Sequence, residues 1–125
     1  MVLRVEMKSG ERIVVGRASI QNAGDKAFLL IDGDAPVLRE NNMLRRCDAD
    51  TLGRQIYFAI QQIYLDDKIS EHVASYAGLV ATFVERNPTA QTAIGVLNGQ
   101  MRDGDTYKAL MSARNLTSFE HAAVS

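Results

Sequence analysis

The sequence predicts an α+β fold, in which a small N-terminal antiparallel β meander precedes a C-terminal bundle of about four helices. Up to residue 47, short apolar runs alternate with polar residues and are separated by Gly, Asp, Asn and Pro, a pattern typical of strands and turns. From residue 48 onward, apolar residues recur every three or four positions, as on an amphipathic helix. With 125 residues, of which 46% are hydrophobic, the chain is long enough to bury a core.

The strand segments lie in the first third of the chain. VLRVEM alternates apolar and charged residues, and Ser9-Gly10 separates it from ERIVVGRASIQ. These two segments are predicted to form a hairpin. The turn NAGD, at residues 22–25, leads into KAFLLI, an apolar strand, and the turn DGDAP precedes VLRE. The expected result is a meander of about four short strands.

Helical periodicity begins after Cys47. The apolar stripe of the first helix consists of Leu52, Ile56, Ile60 and Ile63. A second helix is predicted from Ser70 to about Val84, with Ser70 as its N-cap and Ile69 as a hydrophobic staple residue. No proline interrupts either helix.

Two further helices are predicted in the second half of the chain. Pro88 fits the first position of the third helix, which is expected to run to Met101 with Asn87 as its cap. The sequence RDGD then breaks the periodicity. The last helix is predicted from about Asp105 to Asn115.

These patterns divide the chain into three segments. Residues 1–47 are predicted to form a β module, and residues 48–117 a helical module. Beyond them the periodicity fades, so residues 118–125 are predicted to be a weakly ordered tail.

Charge and cysteine content restrict the class of protein. The chain has 14 Lys and Arg residues against 15 Asp and Glu residues, and its net charge is −1. Such balance excludes bulk binding of polyanions, so any nucleic-acid contact has to be local. The single cysteine, Cys47, cannot form an internal disulfide, and the N terminus lacks the apolar stretch of a signal peptide. We therefore expect a cytoplasmic protein.

Residues suited to catalysis or metal binding are sparse. His72 and His121 are far apart and lack Cys or carboxylate residues at ligand spacing, so no metal site is predicted. Cys47 has no recognisable His partner and is interpreted as a free structural thiol. Without an acid–base pair, a nucleophile set or a phosphate-binding Gly loop, the sequence predicts neither an enzyme nor a cofactor.

Basic residues are concentrated in the strand region, where eight of the 14 lie within the first fifty positions. Arg4 and Arg39 belong to predicted strands, on which both side chains can point away from the core. Guanidinium groups on a rigid sheet pair with phosphate or with a guanine edge. The alternative is a solvated face of salt bridges, and these residues alone leave both interpretations open.

Four segments, MVLRVEMKSGERIVVG, LLIDGDAPVLRE, IYFAIQQIYL and YKALMSARNL, together resemble the FlbT family of alphaproteobacterial flagellin-synthesis regulators. The resemblance extends from Met1 to about Leu116. It implies a post-transcriptional repressor that binds the 5′ leader of flagellin messenger RNA and promotes its decay. It also implies that the flagellar protein FlaF and flagellin itself are possible protein partners.

The strand region also resembles the carbon storage regulator, CsrA. The similarity rests on the order of the strands, on GE at residues 10–11, on DAP at residues 34–36, and on the pair Arg39-Glu40. It implies an RNA-binding homodimer in which the first strand of one subunit lies beside the last strand of the other. The last strand is shorter here, and Glu6 stands where that family has a second basic residue. The resemblance assigns RNA contact to Leu3, Arg4, Val37, Leu38, Arg39 and Glu40.

The helical half supports a different class of function. Its aromatic side chains include Tyr57, Phe58, Tyr64, Tyr76, Phe83 and Tyr107. Aromatic residues exposed on helices suit the groove of a partner protein. The alternative function is therefore a protein–protein adaptor or chaperone-like module that acts through FlaF or flagellin without direct RNA contact. Packing in the helical core is the competing explanation for most of these aromatic residues.

Overall fold

The computed structural model of the chain describes residues 2–65 and 69–124, with side chains described for 2–65 and 72–120. The chain forms two compact units, residues 1–43 and residues 44–125, which we call the β unit and the helical unit. Antiparallel strands occupy the first unit and helices the second. The predicted α+β fold class is thereby confirmed.

The described part of the β unit contains five short strands, where a meander of about four is predicted. They are β1 (Val2–Met7), β2 (Arg12–Val15), β3 (Ala18–Gln21), β4 (Ala27–Asp32) and β5 (Val37–Arg39). β1 and β4 form a two-stranded sheet, and the second sheet has the order β3-β2-β5. All pairs are antiparallel.

The hairpin predicted between the first two strand segments is wrong. β1 pairs with β4, so that Val5 lies opposite Leu29. β2 pairs with β3 instead, through a two-residue turn at Gly16 and Arg17. Gly16 has φ +59°, as a type II′ turn requires at its first central position. The segment ERIVVGRASIQ is therefore a complete hairpin in itself.

Both sheets of the β unit contribute to one cluster of buried side chains. Val5 and Met7 of β1 and Ile13 of β2 form its centre. The partly buried residues packed around them are Val15, Leu29, Ile31 and Val37. Because an isolated two-stranded sheet is marginally stable in water, this shared core is what makes β1 and β4 a stable pair.

Asn22, in the predicted NAGD turn, ties the turn before β4 to the end of β1. Its Nδ2 donates to the carbonyl oxygens of Met7, at 3.1 Å, and Asp25, at 2.6 Å. The Gly10 backbone N–H in turn donates to the Asn22 carbonyl oxygen at 2.7 Å. A side-chain amide thus bonds to backbone carbonyl groups at a turn, as Asn commonly does.

The described part of the helical unit contains five α-helices. They are α1 (Leu52–Leu65), α2 (Ile69–Arg86), α3 (Gln91–Arg102), α4 (Thr106–Ala113) and α5 (Thr117–Val124). α5 occupies the stretch for which a weakly ordered tail is predicted. Ser70 is the predicted N-cap of the second helix and Ile69 its predicted staple residue. The side chains of both lie outside the described ones. Among the described residues, no helix combines the length and the hydropathy of a membrane-spanning segment.

The junction between α2 and α3 differs from its prediction. Residues 88–90 form a 3-10 helix, and α3 begins at Gln91. The predicted N-cap, Asn87, makes no capping hydrogen bond with its side chain. Its Nδ2 donates instead to the Phe83 carbonyl oxygen at 3.2 Å. Asn87 therefore closes the last turn of α2, where backbone carbonyls lack intrahelical partners.

Gln61 is a polar side chain in the core of the helical unit, with only 2% of its surface exposed. Its Oε1 accepts a hydrogen bond from the Leu44 N–H at 2.7 Å, and its Nε2 donates to the Leu44 carbonyl oxygen at 2.9 Å. Both ends of the amide are thus satisfied, as buried polar groups require. The segment that precedes α1 is held to that helix by this pair of bonds.

We expect Gln61→Ala to lower the free energy of unfolding by about 2–4 kcal/mol, because both Leu44 backbone groups lose their partner and a cavity remains. Gln62→Ala, at the adjacent and more exposed position, is expected to lower it by less than about 1 kcal/mol. Urea denaturation followed by far-UV circular dichroism measures both changes. Equal denaturation midpoints for the two variants would contradict the role given to Gln61.

Candidate nucleic-acid interface

Arg39, the last residue of β5, lies at the junction of the two sheets. Its Nη1 donates to the Glu6 carbonyl oxygen and to Glu11 Oε1, both at 3.1 Å. The side chain is 40% exposed, and both of these hydrogen bonds are made by Nη1. Arg39 therefore has a fixed direction, and one edge of its planar group of donors is left for another acceptor.

Arg4 lies on the outward face of the β1–β4 sheet. Because side chains alternate along a strand, Val5 faces the core while Arg4 and Glu6 face away from it. Phe28 and Leu30 lie opposite Glu6 and Arg4 in the register, so they share this outward face. The Arg4 Cζ lies 4.6 Å from the centroid of the Phe28 ring, within the range of a cation–π interaction.

The four other residues assigned to RNA contact differ in exposure. Leu38 is fully buried, so only its backbone is available to a ligand. Val37 is half-buried and packs against the core of the β unit. Leu3 is exposed at the start of the chain. Glu40 is also exposed, but it begins a 3-10 helix and does not extend β5.

Glu6 connects the surroundings of Arg4 and Arg39. Its carbonyl oxygen accepts from Arg39, while its carboxylate lies on the same face as Arg4 and pairs with Lys26 Nζ at 2.9 Å. The hydrogen bond and charge of Lys26 lower the pKa of the Glu6 carboxyl group, and Lys8 and Arg4 lower it further. The structure thus brings both arginines to one short stretch of β1, although β1 and β5 belong to different sheets.

The sequence patterns do not identify Phe28, Lys26 and Leu30 as members of this surface. AFLLI, at residues 27–31, is apolar throughout, and its composition does not tell which alternate residues face outward. The signal that could have found them lies in VLRVEM, whose charged residues mark one face as solvent-exposed. An apolar strand paired with such a strand necessarily leaves apolar side chains on the exposed face.

Three of the six aromatic side chains considered in the helical unit belong to its core. Tyr57, Tyr76 and Phe83 are buried, while Tyr107 is largely exposed. Burial raises the pKa of Tyr76 to about 12, and its hydroxyl donates to Asn98 Oδ1 at 2.6 Å. Core packing is therefore the correct interpretation of these three residues, and Tyr107 is available to a partner.

Groups suited to metal chemistry are absent from the described residues, where no three His, Cys, Asp or Glu side chains are arranged to hold a metal ion. Cys47 is a free and exposed thiol. His121, which is considered above as a metal ligand, lies outside the described side chains.

Comparison with known proteins identifies similar flagellar proteins. The sequence matches the family described as "Flagellar protein FlbT" over residues 3–124. A "Probable flagellum biosynthesis repressor protein FlbT" of Rhodopseudomonas palustris is 37% identical over 125 residues, which cover 100% of this chain and 99% of the relative. The "Flagellum biosynthesis repressor protein FlbT" of Caulobacter vibrioides is 31% identical over 123 residues, 96% of this chain and 87% of the relative. No solved structure matches the chain.

We expect Arg39→Ala to destabilise the β unit by about 1 kcal/mol, because the Glu6 carbonyl and the Glu11 carboxylate lose their common donor at a partly exposed site. Arg17→Ala, in the exposed turn between β2 and β3, serves as the matched control and should have little effect. Hydrogen exchange of the β1 and β5 amide groups measures the change. Unaltered protection factors in Arg39→Ala would show that the contact contributes no stability.

Proposed function

The chain belongs to the FlbT family of flagellar proteins, and on this basis we propose that it controls flagellin synthesis after transcription. Its relatives are named as repressors of flagellum biosynthesis. In general terms, the proposed function is therefore regulation of flagellar synthesis without catalysis. The specific part is binding of the 5′ leader of flagellin messenger RNA, followed by decay of the message. Such a ligand requires a cytoplasmic protein.

The observation that carries the RNA-binding proposal is the anchored guanidinium group of Arg39. With Nη1 held by Glu6 and Glu11, the edge formed by Nε and Nη2 matches two acceptors side by side, such as guanine N7 and O6 or two phosphate oxygens. Sequence-specific RNA recognition generally uses base edges in unpaired loops. Because the side chain is already held, little rotamer entropy is lost on binding.

A second candidate function is supported by exposed apolar side chains in the helical unit. Val73 of α2, Val96 of α3 and Tyr107 of α4 are each exposed. A protein–protein adaptor would bury such residues in the groove of a partner. FlaF and flagellin, the partners implied by the family resemblance, are the candidates for that role.

We also propose that the chain forms a homodimer through the β unit. Within the described residues β1 and β4 pair only with each other, and β3 and β5 are the outer strands of the second sheet. Strand edges left open in this way are usually covered or paired. Pairing of β1 with β5 of a second copy would join Leu3 and Arg4 of one chain with Arg39 and Glu40 of the other.

A homodimer predicts a molar mass close to twice 13.8 kDa in size-exclusion chromatography with light scattering at micromolar concentration. The open edges of β1 and β5 supply the backbone groups for this association. A strict monomer over the same concentration range would exclude the intersubunit surface, although it would not affect a partner contact of the helical unit.

Arg39→Lys is expected to weaken binding of a labelled flagellin leader RNA about fivefold to 150-fold, equivalent to about 1–3 kcal/mol. Lysine keeps the charge but lacks the two parallel donors. Arg86→Lys, at the end of α2, is the control and should bind like the wild type. Fluorescence anisotropy at one fixed salt concentration measures the affinities, and circular dichroism verifies that each variant is folded.

Three outcomes of this titration would change the proposal. Equal affinity of the wild type and Arg39→Lys would make the residue a phosphate contact that carries no base specificity. Equal affinity of the wild type and Arg39→Ala would remove Arg39 from the interface. Absence of any leader binding by the wild type would favour the adaptor function.

A further inference from the structure

The outward face of the β1–β4 sheet carries apolar side chains that are exposed to solvent. Phe28 is 52% exposed and Leu30 is 73% exposed, and Val2 on β1 is exposed on the same face. These side chains lie among Arg4 and Glu6 and form a contiguous patch across two strands. Contiguous apolar patches on a protein surface commonly mark binding sites.

Positive charge surrounds the aromatic ring in this patch. The Arg4 Cζ is 4.6 Å and the Lys26 Nζ 5.5 Å from the centroid of the Phe28 ring. Lys8 is close enough to influence the Glu6 carboxylate. Glu6 therefore lies among three cations, and the local charge around the ring is positive although the chain as a whole carries −1.

We propose that Phe28, with Arg4 and Lys26, is a stacking platform for an unpaired RNA base and its phosphate. This inference rests on the proposed RNA-binding function and adds a contact that the Arg39 surface does not include. Exposed aromatic rings and guanidinium planes on a sheet are the groups on which single-stranded bases stack. The Arg4 guanidinium over the Phe28 ring provides such a layered surface.

The ion pair on this face does not prevent RNA from binding. Lys26 and Glu6 are both well exposed, and exposed pairs contribute little stability. A phosphate can therefore replace the Glu6 carboxylate as the partner of Lys26. Leu30 lies two residues along β4 from Phe28, about 7 Å away along the strand, and provides an apolar contact for an adjacent nucleotide.

RNA explains this surface better than an apolar protein partner does. A protein interface over Phe28 would have to bury the charges of Arg4 and Lys26, at a large cost in desolvation unless each were paired. A nucleic-acid strand offers a π-face for the ring and a phosphate for the cations at the same time. One ligand can therefore contact both the aromatic ring and the cations of this surface.

The absence of tryptophan from the chain allows a direct test. The Phe28→Trp variant carries the only indole group, whose fluorescence should be quenched when a base stacks on it. Titration with single-stranded oligouridylate and with flagellin leader RNA should quench it, and duplex RNA of the same length should quench it far less. Tyr107→Trp, an exposed aromatic position in the helical unit, is the matched control and should not be quenched.

A second set of variants tests the contribution of the ring to affinity. Phe28→Leu keeps an apolar side chain but removes the aromatic face, and it should weaken binding of the single strand about fivefold to a hundredfold. Phe28→Tyr should bind like the wild type. Because the ring points away from the core, all three substitutions at this position should preserve the melting temperature within a few degrees.

The outcomes separate this inference from the function on which it rests. Leader binding by the wild type, with unchanged affinity in Phe28→Leu and no quenching in Phe28→Trp, would overturn the platform and leave the RNA function standing. Failure of the wild type to bind any RNA would overturn both. A monomeric Phe28→Ala alongside a dimeric wild type, with equal RNA affinity, would assign this face to contact between copies of the chain instead.

Discussion

The β unit depends on the joining of two small sheets, because a two-stranded sheet such as β1–β4 is only marginally stable alone. Val5 and Ile13 come from different sheets and meet in one buried cluster. Two polar side chains reinforce this apolar contact. Arg39 of one sheet donates to the Glu6 carbonyl oxygen of the other, and Asn22 donates to the carbonyl oxygens of Met7, at the end of β1, and Asp25, in the turn before β4. The core supplies burial, and the polar bonds define the relative position of the strands.

This arrangement explains how a protein with balanced charge can present a cationic surface. The β unit contains equal numbers of basic and acidic residues, so its composition carries no sign of nucleic-acid binding. Pairing of β1 with β4 brings Arg4 and Lys26 to the same ring. Glu11 is used elsewhere, as the partner of Arg39. The surface potential thus follows from the topology of the strands and not from the total charge.

Local sequence patterns predict the fold class and the turns, because alternation and turn propensity act over a few residues. They do not predict which strands pair, since β1 reaches β4 across an intervening hairpin. The outward direction of Phe28 depends on that pairing alone. The resemblance to the carbon storage regulator assigns RNA contact to Arg39, but it does not predict the bonds of Arg39 to Glu6 and Glu11, which are distant in the sequence. In the first helix, Gln61 lies away from the predicted stripe of Leu52, Ile56, Ile60 and Ile63, so neither its burial nor its contact with Leu44 follows from the helical pattern.

The pairing of β1 with β4 also has a consequence for the order of folding. The hairpin of β2 and β3 needs only a two-residue turn, and such local closure is fast. Pairing of Val5 with Leu29 closes a longer loop that contains this hairpin, and closure of a longer loop costs more entropy. During synthesis, β1 leaves the ribosome before β4, which lies three strands further along the chain, so its apolar residues have no β4 partner until then. β1 is therefore exposed to wrong pairing until the β unit closes.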